Sequence, residues 1–394
     1  MNNQMEMTKP LSKSTSNLET FRYEPDHGWS IKSFPALDSK NTLVLVFGAR
    51  RYLDDPARIQ ELRAVYPHSV LAGCSTSGEI CGGRLYDESL SVAVHRFQRT
   101  RLRLVTAPIR SQDDSFHAGD AIARQLEGSD LRAVLVLSDG LKVNGSELVR
   151  GLNSVLPQSV VVTGGLAGDG SRFQRTWVLR DGLPSEGFVS AIGFYGDHVR
   201  VGHGCKGGWD VFGPERSVTR SEGNVLFELD NQPALPLYKN YLGERASELP
   251  AAALLFPLAL RKDAKDTKRL VRTILSVDEA RQAMIFAGDI PQGYLVQLMR
   301  ANFDRLIDGA ATSAKMARTN GGTDNPVLVI AISCVGRRLV LGERTEEELD
   351  RTLDAFPSAS RQVGFYSYGE ISPFATGNCD LHNQTMTLTT LSEI

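Results

Sequence analysis

Residues 42–48 read TLVLVFG, a short apolar run ending in glycine that predicts a buried strand. Asp55-Pro56 follows, and the combination of an N-cap residue with a first-turn proline predicts the start of a helix. Pro67 should end that helix, and residues 69–73 (SVLAG) predict the next strand. The stretch therefore predicts a strand–helix–strand unit.

The same plan recurs along the chain. A shift of 90 residues aligns residues 44–46 with 134–136, both VLV, without a gap. A looser third copy begins with a strand at 327–332 (VLVIAI) and continues with a capping box at Thr345. The prolines expected at equivalent helix ends are Pro67, Pro157 and Pro357. Repetition of this kind predicts an α/β fold in two domains, with mixed sheets built from repeated strand–helix–strand units.

The composition favours a folded protein that neither binds nucleic acid nor inserts into a membrane. Of 394 residues, 41% are hydrophobic and 23% are charged, which is enough apolar material for a sizeable core. The 44 Lys and Arg are balanced by 46 Asp and Glu, so there is no basic excess to neutralise a phosphate backbone. No apolar run approaches the ~20 residues that a membrane-spanning helix needs.

The cysteines and the first residues favour a cytoplasmic protein. The cysteines are Cys74, Cys81, Cys205, Cys334 and Cys379. They are odd in number and lack C-x-x-C spacing, which favours reduced thiols over a disulfide framework or a structural zinc site. The N-terminus has no basic segment followed by an apolar core, so we expect no secretory signal.

Three regions are expected along the chain. Residues 1–40 are polar and weakly periodic, which predicts a flexible N-terminal tail. The turn-forming cluster DNQP at 230–233 predicts a domain boundary. The N-terminal domain would then cover residues 41–232, and the C-terminal domain residues 233–394.

The region between the second and third units follows a different pattern. Residues 189–195 and 199–203 are apolar and flank Gly196-Asp197, which predicts a β-hairpin. Residues 294–300 (YLVQLMR) are expected to open a helix that continues past residue 307.

Each unit ends in a glycine-rich turn that carries a carboxylate. The turns are GCSTSGEI at 73–80, GGLAGDG at 164–170 and GFYSYGEI at 364–371. Small residues let backbone N–H groups approach a ligand closely, and open α/β sheets bind ligands beyond strand ends. The candidate ligand-binding residues are Gly73, Cys74, Ser75, Thr76, Gly78, Glu79, Gly164, Gly165, Gly168, Asp169, Tyr366, Ser367, Tyr368, Gly369 and Glu370. The structural alternative is that the glycines only form tight turns and the carboxylates only cap them.

Familiar catalytic and nucleotide-binding patterns are missing from these turns. There is no P-loop, and residues 173–179 after the second turn look like a strand, whereas a dinucleotide-binding loop requires a helix. Cys74 with its neighbouring hydroxyls could act as a nucleophile, but no histidine lies near it in sequence. No protein-only metal motif is present. We therefore expect a non-enzymatic protein, with a cysteine-dependent enzyme as a minor alternative.

His203 stands in a second glycine-rich stretch, GHGCKGGW at 202–209. Glycines on both sides are expected to leave the imidazole sterically open, as a ligand to a planar cofactor would need. An ordinary hydrogen-bonded histidine is the alternative.

Several separated motifs resemble the FIST family of bacterial sensory proteins, which have an N-terminal and a C-terminal FIST domain. The matching stretches are CSTSGEI at 74–80, GGLAGD at 164–169, VTRSEGNVLFELD at 218–230, PAL at 233–235, FYSYGEI at 365–371 and NQTMTL at 383–388. The resemblance covers almost everything after about residue 40. It implies a ligand-sensing input module, and without a kinase segment the chain looks like a stand-alone sensor that acts on a histidine kinase or phosphorelay protein.

Among stand-alone members of the family, the nitric-oxide sensors bind haem and regulate a partner kinase and hence biofilm signalling. The resemblance therefore implies non-covalent haem b, with one imidazole on the iron and the other face open to nitric oxide. His203 is the expected axial ligand, with His382 and Cys205 as runners-up. The alternative within the family is a sensor of a small metabolite such as an amino acid, bound by the three glycine turns without haem.

Overall fold

A computed structural model describes residues 11–12, 16–249, 251–267, 269–373 and 378–394. The expected flexible tail is wrong for residues 18–40. Residues Leu18–Glu24 form a strand within a seven-stranded sheet, and Phe34 is fully buried. Aromatic side chains anchor this segment, because Phe21 packs edge-to-face on Trp29 and Phe34. The remainder of that prediction, at residues 1–10 and 13–15, lies outside the described residues.

The secondary structure alternates short helices with many strands. The α-helices are α1 (Ala57–Val65), α2 (Ser115–Leu126), α3 (Gly145–Asn153), α4 (Ala234–Leu242), α5 (Phe303–Gly321), α6 (Val335–Leu341) and α7 (Thr345–Leu353). The strands are β1 (Leu11–Ser12), β2 (Leu18–Glu24), β3 (Gly28–Trp29), β4 (Phe34–Pro35), β5 (Thr42–Gly48), β6 (Val70–Ser75), β7 (Glu79–Cys81), β8 (Arg84–Tyr86), β9 (Leu90–Arg96), β10 (Arg101–Pro108), β11 (Leu131–Ser138), β12 (Val161–Leu166), β13 (Val178–Arg180), β14 (Leu183–Ser185), β15 (Phe188–Tyr195), β16 (Val199–Lys206), β17 (Asp210–Glu222), β18 (Val225–Leu229), β19 (Gln232–Pro233), β20 (Leu258–Arg261), β21 (Leu270–Arg272), β22 (Ile274–Asp278), β23 (Ala283–Phe286), β24 (Leu295–Arg300), β25 (Leu328–Cys334), β26 (Arg361–Ser367), β27 (Gly369–Pro373), β28 (Cys379–His382) and β29 (Met386–Glu393).

The α/β fold is confirmed, with 25% helix, 41% strand and several mixed sheets. The three predicted strand–helix–strand units are β5–α1–β6, β11–α3–β12 and β25–α7–β26, and in each the two strands pair in parallel. Pro67, Pro157 and Pro357 follow the ends of α1, α3 and α7 within a few residues, as predicted. An antiparallel strand returns beside the first strand of each unit, as β9, β15 and β29.

The three sheets are interlocked by an exchange of β-hairpins. The hairpin β7–β8, which follows the first unit, pairs with β26 of the third unit. The hairpin β27–β28, which follows the third unit, pairs with β12 of the second. The hairpin β13–β14, which follows the second unit, pairs with β6 of the first. The chain is therefore a cyclic arrangement in which each sheet is completed by the next unit's hairpin.

A common core lies between the three sheets. It contains Phe47 of the first sheet, Leu135 of the second and Phe365 of the third, all at most 1% exposed. Phe47 and Phe365 contact each other with ring centroids 4.8 Å apart. Burial of each such side chain contributes about 1.5–3 kcal/mol, so this core is a main source of cohesion between the units.

A fourth, antiparallel sheet is inserted between β16 and α5, before the third unit begins at β25. It is built from strands β17 to β24 and has its own core, to which Leu235 and Tyr238 of α4 contribute. The proposed domain boundary at 232/233 falls inside this insertion, where residues 230–231 turn tightly between β18 and β19. The boundary itself stays a prediction.

Two sequence predictions in this region are wrong. Residues 295–300 of this segment form strand β24 within the inserted sheet, and helix α5 begins only at Phe303. The expected hairpin around Gly196-Asp197 does not form, because β15 pairs with β10 and β11 while β16 pairs with β29. The chain crosses there from the second sheet to the third.

One glycine recurs at the same place in all three units. A Cβ on Gly73, Gly164 or Gly364 would collide with a backbone carbonyl of the neighbouring parallel strand, at Val46, Val136 and Ala331 respectively. Since strand backbones cannot yield as a flexible side chain can, we expect Gly73→Ala to lower the free energy of unfolding by about 3 kcal/mol. Urea denaturation measures this. Gly128→Ala is the control, because its Cβ would meet its nearest neighbour at an ordinary 3.4 Å. Equal stability of the two variants would contradict the argument.

Candidate functional site

The three glycine turns meet at one end of the parallel strands. The backbone N–H of Ser77 donates to the carbonyl of Tyr366 at 2.8 Å, and Tyr366 N–H donates to Gly78 at 2.9 Å. Gly168 N–H donates to the carbonyl of Ser75 at 3.0 Å. Turns from all three units are thus joined by direct backbone hydrogen bonds.

Asp169 joins the second turn to the third. Its carboxylate accepts the hydroxyl hydrogen of Tyr368 and the backbone N–H groups of Phe173, Gln174 and Arg175 at 2.8–2.9 Å. Phe173 stacks on the Tyr368 ring, with centroids 4.5 Å apart. Burial and the Asp169 carboxylate together raise the pKa of the Tyr368 hydroxyl, so this hydroxyl stays protonated and donates.

Glu79 is held by its own turn and by Ser89, which precedes β9. Its side chain is 1% exposed and accepts the Thr76 hydroxyl, together with the backbone N–H and hydroxyl of Ser89 at 2.9 and 2.8 Å. Burial raises the pKa of the carboxyl to about 8. Glu79 therefore closes the first turn, as the structural alternative predicts.

Glu370 repeats this arrangement in the third turn. It is fully buried and accepts the Ser367 hydroxyl at 2.6 Å. Its second oxygen accepts the backbone N–H and hydroxyl of Thr385 at 3.2 and 2.9 Å. Burial again raises the pKa of the carboxyl to about 8. The shared G-E-I motif thus encodes the same local network twice, and contact of either glutamate with a ligand stays a prediction.

A cavity of about 330 Å³ lies beside the joined turns, and we call it the turn cavity. Its walls come from all three units: Ser77 and Glu79 from the first, Asp169 and Gly170 from the second, and the start of helix α6 from the third. Its position beyond the carboxyl ends of parallel strands is typical of ligand sites in α/β proteins.

Three arginines line the turn cavity, and they differ in their partners. Arg338 binds Asp87 at 2.6 Å and the carbonyl of Ser77 at 2.5 Å. Arg172 lies 3.6 Å from Glu88. Arg50 has no ion-pair partner within the described ranges, and its Nε–H is shielded from water without an acceptor to which it could donate a hydrogen bond.

The sequence reasoning missed Arg50 and Arg338. Arg50 could have been found, because it directly follows β5 and so lies at the same sheet edge as the glycine turns. Arg338 lies on α6, a short helix that the sequence pattern did not indicate.

Other predicted site residues have structural roles. Cys74 lies in the core between the sheets, fully buried, and burial raises the pKa of its thiol, which argues against a reactive nucleophile. Tyr366 is also fully buried and donates to Glu348 at 2.7 Å rather than lining the turn cavity. Ser75 accepts the backbone N–H of Trp177 at 3.0 Å, which anchors β13 to β6.

Comparison with protein families supports the resemblance seen in the sequence. The FIST N domain model matches residues 42–232, and the FIST C domain model matches residues 234–373. The chain belongs to the FIST family. FIST domains are sensory signalling domains, generally without catalytic activity. Comparison with curated proteins finds no match.

The surroundings of His203 in this FIST protein differ from the sequence prediction. A Cβ on Gly202 or Gly204 would collide with backbone oxygens of Ala317 and Ser313 in α5. The two glycines therefore allow α5 to pack on one face of β16, and they do not open space around the imidazole. His203 lies on the opposite face by strand alternation and is 9% exposed.

The donor types nevertheless fit haem. Burial lowers the pKa of His203, so its imidazole is neutral, and its Nδ1 has no hydrogen-bond partner in the described structure. Cys205 and His382 line a cleft of about 720 Å³ with Trp209, Met299 and Met316, a size and polarity suited to a cofactor. Cys205 would have to lose a proton from a thiol whose pKa burial raises to about 12, and His382 Nε2 already lies 2.9 Å from the carbonyl of Ser372.

Among the residues that the structure describes, no helix has the length and apolarity needed to cross a bilayer. Within the same ranges, no group of three or more His, Cys, Asp or Glu side chains is placed to hold a metal ion.

The raised pKa values of the two buried glutamates, Glu79 and Glu370, predict that the stability of the protein depends on pH. Because the pKa of Glu79 and of Glu370 is about 8 in the folded state and about 4.3 when unfolded, the folded state binds more protons between these values. The contribution of each carboxyl group to the free energy of unfolding is therefore fully present below pH ~4 and is lost as the pH rises through ~8. The loss is at most about 1.4 kcal/mol per unit of pKa difference. Urea denaturation between about pH 5 and pH 8.5 should show this decline.

The Glu79→Gln/Glu370→Gln variant should lose this part of the pH dependence, whereas exposed Glu88→Gln should keep it. An unchanged slope in the double variant would contradict the assignment.

Proposed function

We propose that this FIST protein is a cytoplasmic signalling sensor that binds a small carboxylate metabolite, such as an amino acid, in the turn cavity. Its output would pass to a histidine kinase or phosphorelay protein. The proposal deepens the sensory character of the family and names the class of ligand.

The observation that carries the proposal is the unpaired guanidinium of Arg50 at the wall of the turn cavity. Arg50 is half-buried, and a shielded Nε–H without an acceptor is unfavourable, so a ligand carboxylate that accepts from it would form favourable charge-assisted hydrogen bonds. Asp87 and Glu88 also line the turn cavity, and their negatively charged carboxylates could receive the ammonium group of an amino acid. The buried Glu79 contributes less, since its oxygens already accept hydrogen bonds from Thr76 and Ser89.

The position of the cavity supports a signalling role. Its walls belong to three units whose sheets share hairpins, so a ligand that contacts all three walls would favour one relative arrangement of the units. A ligand shifts such an equilibrium by its difference in affinity for the two arrangements. The change would then be available to a partner protein at the surface.

Substitution of Arg50 tests the ligand class. Thermal-shift screening with amino acids and small carboxylates should find a stabilising ligand, and Arg50→Gln should weaken its binding roughly tenfold or more, because hydrogen bonds to charged groups contribute about 1.5–3 kcal/mol. Isothermal titration calorimetry gives the affinity. Arg51→Gln is the matched control, since Arg51 is exposed and does not line the turn cavity. The proposal fails if no compound binds, or if Arg50→Gln binds as the wild type does.

Haem-based sensing of nitric oxide is a second candidate. It is favoured by the neutral imidazole of His203 with its unpartnered Nδ1, and by the nearby cleft that Cys205 and His382 line. Bound haem would supply an iron whose free face takes a diatomic gas. In this chain, His203, His382 or Cys205 would hold the iron, and Lys206, Arg269 and Arg305 at the cleft could bind the propionates.

An absorption spectrum after haem supply tests this candidate. We expect a Soret band that shifts on addition of nitric oxide, and that His203→Ala alters while His198→Ala, on the exposed loop before β16, leaves unchanged. An unaltered holoprotein in His203→Ala, with loss in His382→Ala or Cys205→Ala, would transfer the role to the 720 Å³ cleft. Absence of any stoichiometric haem binding would remove the candidate.

A further inference from the structure

A second cavity lies at the other end of the parallel strands from the turn cavity. It has a volume of about 660 Å³, and we call it the arginine cleft. Arg96, at the end of β9, and Arg361, at the start of β26, both line it. The glycine turn that ends β26 belongs to the opposite edge, so the two cavities are separated by the length of the strand.

The arginine cleft carries an excess of positive charge. Arg96, Arg99 and Arg361 line it, and none of them forms an ion pair with a carboxylate in the described part of the chain. Within the part of the chain that the structure describes, the Arg361 guanidinium donates to the backbone carbonyls of Ala359 and Ser360 alone, both at 3.1 Å. Unpaired guanidinium groups that face a cavity are available to an anion.

Among the described residues, Glu393 is the one acidic side chain that lines the arginine cleft, and it does not neutralise these arginines. The carboxylate of Glu393 accepts backbone N–H groups from Gln98, Arg99 and Thr100, at 2.6, 2.9 and 2.6 Å. These hydrogen bonds lower the pKa of Glu393 against the opposing effect of burial. The negative charge of Glu393 is therefore compensated by backbone N–H groups of the loop at 98–100, and not by the guanidinium groups of the cleft.

His95 adds a buried polar group to the wall of the arginine cleft. Its side chain is 8% exposed and stacks on Phe97, with ring centroids 4.2 Å apart. Its Nδ1 has no hydrogen-bond partner among the described residues. Burial lowers the pKa of the imidazole to about 4, so the ring is neutral at physiological pH and can donate one hydrogen bond and accept another.

We propose that the arginine cleft binds a small metabolite that carries at least two phosphate charges, such as a nucleoside diphosphate. Guanidinium forks match phosphate oxygens in geometry, and several of them around one cavity match a ligand with more than one negative charge. The volume of the cleft lies within the range for small-molecule sites.

The arginine cleft lies between sheets of two different units. Leu18 and Arg96 belong to the first sheet, whereas Arg361 and Glu393 belong to the third. A ligand that binds arginines of both sheets would bridge the first and third units, as the turn cavity does at the opposite end. The protein would then have two inputs of different chemistry, and this inference does not depend on the function proposed for the turn cavity.

Calorimetric titration with pyrophosphate and with ADP, at constant ionic strength, tests the proposal. The wild type should bind at least one of them and gain thermal stability. Arg96→Gln and Arg361→Gln should each weaken binding roughly tenfold, which corresponds to about 1.4 kcal/mol. His95→Phe should weaken binding while its stacking surface against Phe97 is retained. Arg351→Gln, an exposed arginine on α7 away from the cleft, should bind as the wild type does.

Several outcomes would overturn the proposal. These are absence of binding by either probe, unchanged binding in both Arg96→Gln and Arg361→Gln, or an equal thermal shift with sodium chloride at the same ionic strength. Binding only to a phosphopeptide or to anionic lipid vesicles would also overturn it. Arg50→Gln should retain the pyrophosphate response, which separates this result from the test of the turn cavity. Thermal melts without ligand show whether each variant folds.

Discussion

The backbone hydrogen bonds between β7 and β26, β13 and β6, and β27 and β12 constrain everything else in the central body. Unpaired N–H and C=O groups at a sheet edge are unfavourable, and here each unit covers an edge of its neighbour. The segments that connect a unit to its exchanged hairpin are the glycine turns. The turns must therefore meet, because each one leaves its own sheet at the point where it enters the next. The turn cavity is a by-product of that crossing.

The arginines show how the same residue type is used for stability and for recognition. Arg337 is fully buried, binds Glu348 at 2.6 Å and donates to backbone carbonyls of Gly207 and Leu306. Every part of its charge is compensated within the fold, as a buried guanidinium requires. Arg50 and Arg96 lack such compensation and face cavities. The structural arginine is fully buried with all its partners inside the fold, whereas the two candidate ligand-binding arginines are half-buried and lack a carboxylate partner among the described residues.

Local patterns in the sequence predict the repeated strand–helix–strand units, the prolines that follow their helices, and the position of the glycine turns at one end of the parallel strands. They did not predict the hairpin exchange, because β7 is only three residues long and nothing in those residues specifies β26 as partner. The sequence pattern predicts a helix where strand β24 lies, because the apolar residues of β24 are followed almost directly by those of α5. The sequence pattern predicts that the glycines beside His203 leave space for a cofactor. In the structure they allow α5 to pack closely on β16, a contact between residues distant in sequence. The unpaired state of Arg50 likewise depends on three-dimensional neighbours.

The hairpin exchange also determines the order in which the protein can be completed during synthesis. Cys81 of β7 pairs with Val363 of β26. The hairpin β7–β8 therefore cannot pair with its partner strand until almost the whole remaining chain has left the ribosome. Until then the nascent N-terminal part presents an open strand and an unfilled common core. Contacts of such large sequence separation are slow to form, because loop-closure entropy is lost before the contacts can compensate it. Because β7 belongs to the FIST N segment and β26 to the FIST C segment, the third sheet is complete only when residues of both segments are present.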